Sequence, residues 1–182
     1  MAQADDANAL KRYYFLRAAV SVAWILAAVA VGAGNPLAAG VLLVAYPAWD
    51  ALANALDARA NGGFAANPPQ TFNVVVSLAV AGVVLLALQA APPRVLTVFG
   101  VWALFSGLLQ LIAGVRRWRA VGAQWAMVLS GAQSMLAGAF MIARSISGGG
   151  HPPTAVEIAP YAGFGAFYFL IAGVALALKR RR

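Results

Sequence analysis

The feature that most constrains this chain is the separation of its charges from its apolar residues. Six long apolar runs carry almost no charge, and the charged residues cluster between the runs and at the chain ends. A helix of about 20 residues crosses the hydrocarbon core of a bilayer, which is about 30 Å thick. With 63% hydrophobic and 10% charged residues, the chain also exceeds the apolar content of a soluble domain. The pattern predicts six transmembrane helices, at 13–34, 37–61, 70–91, 94–115, 120–142 and 154–178.

The segments between the runs carry turn and helix-breaking signals. They are Gly34-Asn35-Pro36, Gly62-Gly63, Asn67-Pro68-Pro69, Pro92-Pro93 and Gly148-Gly149-Gly150. In hydrocarbon the backbone must satisfy its own hydrogen bonds, so we expect the spans to be helices. The alternating ten-residue strands of a transmembrane barrel are absent from the sequence. The predicted fold class is therefore all-α, a single six-helix bundle over residues 1–182.

The distribution of Lys and Arg predicts the orientation. If the N-terminus is cytoplasmic, only Arg94 and Arg144 of the 13 basic residues lie outside, as the positive-inside rule favours. Both ends, a short N-terminal tail and the basic tail 179–182, are then cytoplasmic. The first apolar run continues through a turn into the second, which favours a retained helix over a cleaved signal. We expect a multi-pass protein of a bacterial inner membrane.

Composition also bounds the partners and the chemistry. The net charge of +8 resides in short basic clusters that adjoin apolar runs, which favours anionic lipid headgroups over nucleic acid. There is no cysteine, and no metal-ligand cluster, nucleotide loop or catalytic constellation. We therefore expect no metal, no cofactor and no enzymatic activity. A lipid-acting enzyme that uses Asp50 and Asp57 is the weaker alternative, because the two lie about 10 Å apart along one helix axis.

Span two carries a polar stripe. Its residues are spaced by four, four, three and four positions, which places them on one helix face: Tyr46, Asp50, Asn54, Asp57 and Asn61. Asp50 lies about two thirds of the way from the outside to the cytoplasm. An ionised carboxylate near the bilayer centre costs about 2.5–3.5 kcal/mol on insertion scales. Asp50 is therefore expected to face the bundle interior, where it finds partners or stays protonated.

Polar residues at a similar depth on the neighbouring spans are the expected partners of the stripe. They are Gln70, Asn73, Ser77, Ser106, Gln110 and Gln124. One interpretation is a cytoplasm-facing polar cavity in which Asp50 titrates or binds an ion, so that the protein modulates proton or small-solute permeability. The other is a buried network that fixes helix register, with Asp57 and Asn61 solvated at the membrane edge.

Spans four and five share a sequence echo. Residues 105–114, FSGLLQLIAG, are similar to residues 129–138, LSGAQSMLAG. This indicates either an internal repeat or the recurrence of small residues where membrane helices touch. A second functional hypothesis follows from the small residues: a scaffold or homo-oligomer whose contacts use Gly131 and Gly138.

Three groups outside the stripe have structural interpretations. Glu157 follows Thr154 by three residues, a spacing typical of a capping box at the start of span six. His151, in the predicted external loop, either senses external pH or is simply solvated. Helix packing explains a face of span six that carries Tyr161, Gly165 and Tyr168.

Several of these motifs resemble a known family. They are Tyr46-Pro47-Ala48-Trp49-Asp50-Ala51 with Asn54, Asp57 and Asn61-Gly62-Gly63; Asn67, Gln70 and Asn73; Phe99-Gly100-Val101-Trp102 with Ser106-Gly107, Gln110 and Arg116-Arg117; and Gly122-Ala123-Gln124-Trp125 with Ser130-Gly131. Over roughly 17–178 the chain resembles the HdeD-like acid-resistance family of bacterial short-repeat membrane proteins of unknown function. The resemblance implies a six-span inner-membrane protein linked to survival of acid stress. It implies no reaction, substrate or residue role.

Overall fold

The computed structural model describes residues 2–120, 124–147 and 154–179, with side chains from Asn8 to Leu178 within those ranges. These residues form six long helices: α1 (Ala2–Ala27), which continues as a π-helical turn (Ala28–Gly32), α2 (Pro36–Ala60), α3 (Pro68–Ala90), α4 (Val95–Arg117), α5 (Gln124–Ser147) and α6 (Ala155–Lys179). A short 3₁₀ turn, Pro92–Arg94, precedes α4. All six are long and apolar enough to cross a membrane. The all-α class and the expected six helices that could span a membrane are confirmed, while the span bounds and the orientation stay predictions.

The turn signals set the helix ends where they were expected. The Asn35 side chain accepts a hydrogen bond from the Ala38 amide at 3.0 Å, and Pro36 occupies the first helical position of α2, where a missing N–H is harmless. Gly62 and Gly63 follow α2 with φ of 92° and 90°, a conformation that side-chain-bearing residues rarely adopt. The helix therefore stops there.

Two helices extend beyond the predicted spans. Helix α1 begins at Ala2, before the span predicted from residue 13, and α5 runs to Ser147, past the span predicted to end at residue 142, so Arg144 lies in a helix. Hydropathy marks only the part of a helix that meets lipid, and no helix breaker stops either helix at the edge of its apolar run. The loop with His151 and the basic residues 180–182 lie outside the described residues.

The six helices form a ring in chain order, because each contacts the next and α6 contacts α1. The seam between α4 and α5 is the most extensive, whereas α5 contacts α6 far less. The outer surface of the ring carries many exposed Leu, Val and Phe side chains, which implies contact with bilayer lipid. Most polar side chains of α2 and α3 are buried inside the ring.

Glycines bring α4 and α5 into backbone contact. A Cβ placed on Gly107 would lie 2.6 Å from the Gly131 carbonyl oxygen, and one on Gly100 would lie 2.7 Å from the Gly138 carbonyl oxygen. The sequence echo therefore places small residues where these two helices touch. Since Gly131 and Gly138 face α4 of the same chain, the expectation that they form a surface for another protein was wrong.

We predict that Gly107→Ala destabilises the protein by about 1–3 kcal/mol, because its methyl group must separate two backbones that are in contact. The matched control is Gly82→Ala in α3, where an added Cβ meets nothing within 4 Å and no loss is expected. Unfolding of both variants in detergent, followed by circular dichroism, measures the difference. Equal midpoints for Gly107→Ala and the wild type would contradict the packing argument.

Candidate functional site

Asp50 lies at the centre of a buried polar network and is 5% exposed. One carboxylate oxygen, Oδ1, accepts a hydrogen bond from the guanidinium group of Arg17 on α1. The other oxygen, Oδ2, accepts from Asn54 Nδ2 at 3.2 Å, Asn73 Nδ2 at 2.8 Å and Ser77 Oγ at 2.9 Å. The carboxylate charge is thus balanced by one cation, and both carboxylate oxygens accept hydrogen bonds from donors on α1, α2 and α3.

The same network extends to α4. The Trp102 indole donates to Ser77 Oγ at 2.9 Å, and Ser106 Oγ donates to Asn73 Oδ1 at 3.2 Å. The amide nitrogen of Asn73 therefore donates to the carboxylate, and its amide oxygen accepts from a hydroxyl group. Four consecutive helices of the ring are held in register by side chains around one carboxylate.

Arg17 was missed as a site residue, because a basic residue near the cytoplasmic end of the first span is already explained by orientation. Its Nη1 donates to Tyr13 Oη at 3.0 Å, and its guanidinium carbon lies 4.4 Å from the centre of the Phe169 ring. A planar cation over an aromatic face is a favourable arrangement. The available signal was its position one turn inside the first apolar run, beyond Lys11 and Arg12.

A second ion pair lies two turns along α2. Asp57 is 4% exposed; its Oδ2 accepts from Arg117 Nη2 at 2.8 Å and Gln70 Nε2 at 3.2 Å, and its Oδ1 accepts from Asn61 Nδ2 at 2.9 Å. The alternative in which Asp57 is merely solvated at the membrane edge was therefore wrong, although Asn61 itself is exposed. Arg117, like Arg17, was counted only as a topology charge.

The remaining predicted residues lie around these two pairs. Gln124 Nε2 donates to Tyr14 Oη at 3.3 Å, and Gln110 Nε2 donates to the Met127 carbonyl at 3.4 Å. Tyr46, one turn before Asp50 in α2, lines a cavity beside Asp50 and also belongs to an aromatic cluster. The structure thus brings the predicted residues to one side of the ring interior, with Asn61 at its exposed end.

Two small cavities flank the Arg17–Asp50 pair, each of about 40 Å³. That is room for about three water molecules apiece. The serine cavity is lined by Ser21, Ser106, Ser130 and Ser134, with Gln133 and Tyr161. The Asp57 cavity is lined by Asp57, Gln70, Arg117 and Gln124, with Tyr13 and Tyr14. Arg17, Asp50, Gln110 and Phe169 line both cavities and so form the partition between them.

Aromatic rings close the serine cavity on the side of the Pro36 end of α2. The Tyr46 ring centre lies 4.7 Å from that of Trp24 and 5.7 Å from that of Trp102, and Tyr161 lies 5.8 Å from Trp102. Phe99 packs edge-on against Trp102 at 5.7 Å. Such tilted and edge-to-face contacts are mutually stabilising. Among the described residues, this aromatic cluster continues toward that end of the ring as a buried apolar core that includes Leu43 and Val95.

The oxygens of the two buried carboxylates are already occupied by protein donors, and the neighbouring cavities are lined by neutral polar groups as well. Both oxygens of Asp50 and of Asp57 already accept hydrogen bonds from guanidinium, amide or hydroxyl groups. Within the described ranges, no three His, Cys, Asp or Glu side chains are grouped to bind a metal ion. The hydroxyl and amide groups of the cavities are neutral donors and acceptors that can hydrogen-bond to water.

Fold and site together define a multi-helix membrane protein with a polar interior. Residues 73–143, from within α3 to near the end of α5, match the family model of a short repeat of unknown function, DUF308. No curated protein and no solved structure matches the chain. The resemblance to a short-repeat family is therefore confirmed over that segment. The likeness of the Tyr46–Gly63 region and the acid-resistance association stay predictions.

We predict that Asp50→Asn destabilises the protein by about 3 kcal/mol, because it leaves the Arg17 cation buried without its counter-ion. The double variant Arg17→Gln/Asp50→Asn is expected to recover most of that loss, since it removes both charges. Arg59→Gln, an exposed arginine on the same helix as Asp50, is the control and should change stability by less than about 0.5 kcal/mol. Unfolding midpoints in detergent test the coupling, and strictly additive losses at the two positions would contradict it.

Proposed function

We propose that this chain is a non-enzymatic protein of the bacterial inner membrane that lets protons or a small polar solute cross, with the Arg17–Asp50 pair as the gate. The observation that supports this is the pair of polar cavities on the two sides of one buried ion pair. Ionisable residues within a membrane-spanning bundle typically mark proton or solute pathways.

The partition explains how the passage is closed at rest. Arg17 and Asp50 lie between two cavities that each hold water-sized volumes, and their attraction holds α1 against α2, in addition to the Trp24–Tyr46 ring contact. Protonation of Asp50 would remove the charge that holds Arg17. The partition would then loosen, and a proton received from one cavity could leave to the other.

The orientation favoured by the basic residues would place the Asp57 cavity on the cytoplasmic side. The Arg117 side chain, 18% exposed, would then face the cytoplasm beside the Asp57 carboxylate. Access from that side would pass Arg117 and Gln70 before it reached Asp50. The family resemblance adds a physiological setting, in which the protein acts during acid stress.

An enzyme is less well supported by the same geometry. Asp50 and Asp57 each face a different arginine, so neither carboxylate is shared with the other over a common substrate space. General acid–base chemistry needs the two groups to reach one reacting bond. The ion pairs are better suited to holding helices together and to gating.

The test is proton flux into liposomes that contain the purified protein, under an imposed pH gradient. We predict that wild type conducts and that Asp50→Asn lowers the flux by about tenfold or more, because proton-transfer groups commonly contribute factors of this size or larger. Flux of a small neutral solute, followed by light scattering, is measured on the same preparations. Both fluxes are compared with those of protein-free liposomes.

Arg59→Gln is the matched control, since it removes an exposed charge from the same helix and Arg59 lines neither cavity. It should change flux less than about twofold. The double variant Arg17→Gln/Asp50→Asn separates gating from instability, because it is expected to be folded and still not to conduct protons. Equal flux in wild type and protein-free liposomes would contradict the proposal and favour the scaffold hypothesis, in which the chain acts by binding other membrane proteins or its own copies.

A further inference from the structure

The serine cavity touches a second, larger void between α5 and α6. This α5–α6 crevice has a volume of about 380 Å³ and is lined chiefly by apolar side chains. Gln133, Ala137 and Phe164 line both the serine cavity and the crevice. The two spaces are therefore adjacent, and these three residues form the wall between them.

The crevice opens on the outer surface of the ring. Leu136, Phe140 and Phe164 line it and are 72%, 65% and 50% exposed. It follows the weaker of the two seams of α5, since α5 contacts α6 far less than it contacts α4. The crevice is therefore a lateral opening along the looser of the two seams that α5 makes with its neighbours.

Both ends of the crevice are polar. Gln133 lies at the inner end, and Arg144 and Glu157 lie at the other end, near the end of α5 and in the first turn of α6. Gln133 and Arg144 are separated by about 16 Å along α5. Polar groups at the two ends of an apolar passage can anchor a chain of water, while the apolar middle keeps it dry at rest.

We propose that the serine cavity reaches the far side of the membrane laterally, through the α5–α6 crevice, and that Gln133 is the positioning residue at which water enters it. This rests on the proposed function, for which it supplies the second opening. The direct way toward the Pro36 end of α2 meets the aromatic cluster of Tyr46, Trp102 and Tyr161 and, beyond it, a buried apolar core. The apolar walls disfavour an ion and favour a small uncharged solute, and a proton would cross only along a continuous chain of water anchored at the polar ends.

The chain contains no cysteine, so single cysteines can be introduced without a background thiol. Three variants are compared: Gln133→Cys, Ser147→Cys at the exposed end of α5, and Leu129→Cys, which is one turn from Gln133 on the lipid-facing side and 50% exposed. Silver ions are applied from one side of the membrane at a time, and the thiols left unreacted are counted afterwards with a fluorescent maleimide. Silver is used because it is small, soluble in water and reactive toward thiols.

We expect Gln133→Cys to react from the same side as Ser147→Cys, and Leu129→Cys to react about tenfold more slowly or not at all. Adding Ala137→Phe, which fills the shared wall, should slow the reaction of Gln133→Cys about tenfold and leave that of Ser147→Cys unchanged. Each tenfold change corresponds to about 1.4 kcal/mol in the barrier to access. Ser147→Cys in each background also reports that the protein is folded and inserted.

Two results would overturn the lateral route. If Gln133→Cys does not react with silver while Ser147→Cys does, lipid chains fill the crevice. Reaction from the opposite side alone would mean that water reaches Gln133 only through the Asp57 cavity. Thiol reactivity does not depend on flux, so a reactive Gln133→Cys together with unchanged flux in Asp50→Asn would keep the route and reject the gate. Loss of flux in Asp50→Asn together with an inert Gln133→Cys would keep the Arg17–Asp50 gate and reject the lateral route.

Discussion

The structure depends on one requirement: a carboxylate inside a membrane-spanning bundle must be matched by a cation and by hydrogen-bond donors. Asp50 meets it with Arg17 from α1, Asn54 from its own helix, and Asn73 and Ser77 from α3. Hydrocarbon offers no substitute for these partners, so any arrangement that separates the helices exposes an unmatched charge. The order of α1, α2 and α3 around the ring follows from that single group.

The contact between α4 and α5 depends on close backbone packing rather than on charge. Helices α4 and α5 meet through glycines, and Gly107 faces Gly131, its own equivalent in the sequence echo, while Gly100 faces Gly138. When two antiparallel helices of similar sequence pack so that a residue of one faces the equivalent residue of the other, a local two-fold axis relates the two helices. The echo places Ser106 and Ser130 at equivalent positions, and both line the serine cavity. The short repeat thus supplies close packing on one face and hydroxyl groups on the other.

Much of the fold could be predicted because hydropathy, glycine pairs and prolines are local signals. The polar stripe was also predictable, since a spacing of three and four residues places Asp50, Asn54 and Asp57 on one face whatever surrounds them. The partners Arg17 and Arg117 could not be chosen from the sequence. Arginines near helix ends serve orientation in most membrane proteins, and only the crossing of α1 and α4 past α2 decides which of them turn inward.

The aromatic cluster belongs to the same unpredictable class, as does the presence of two polar cavities rather than one. Tyr46, which continues the stripe, lines the serine cavity, but its ring also packs against Trp24 and Trp102 from two other helices. Tyr161 was assigned to helix packing, and it does pack on Trp102, but it also lines the serine cavity and lies 2.8 Å from Ser134 Oγ. Such double roles depend on which helices are neighbours, and periodicity within one helix carries no information on that.

The two barriers of the proposed passage differ in what would open them. Closure at Arg17–Asp50 depends on charge, so that protonation or a change of local potential weakens it directly. Closure in the α5–α6 crevice depends on apolar walls, which respond to separation of helices and to wetting rather than to charge. If loss of the Arg17–Asp50 contact lets α1 shift, the movement reaches α6, because Phe169 on α6 lies against Arg17 and α1 packs along α6. A charge change at one carboxylate would then act on both barriers through a single helix contact.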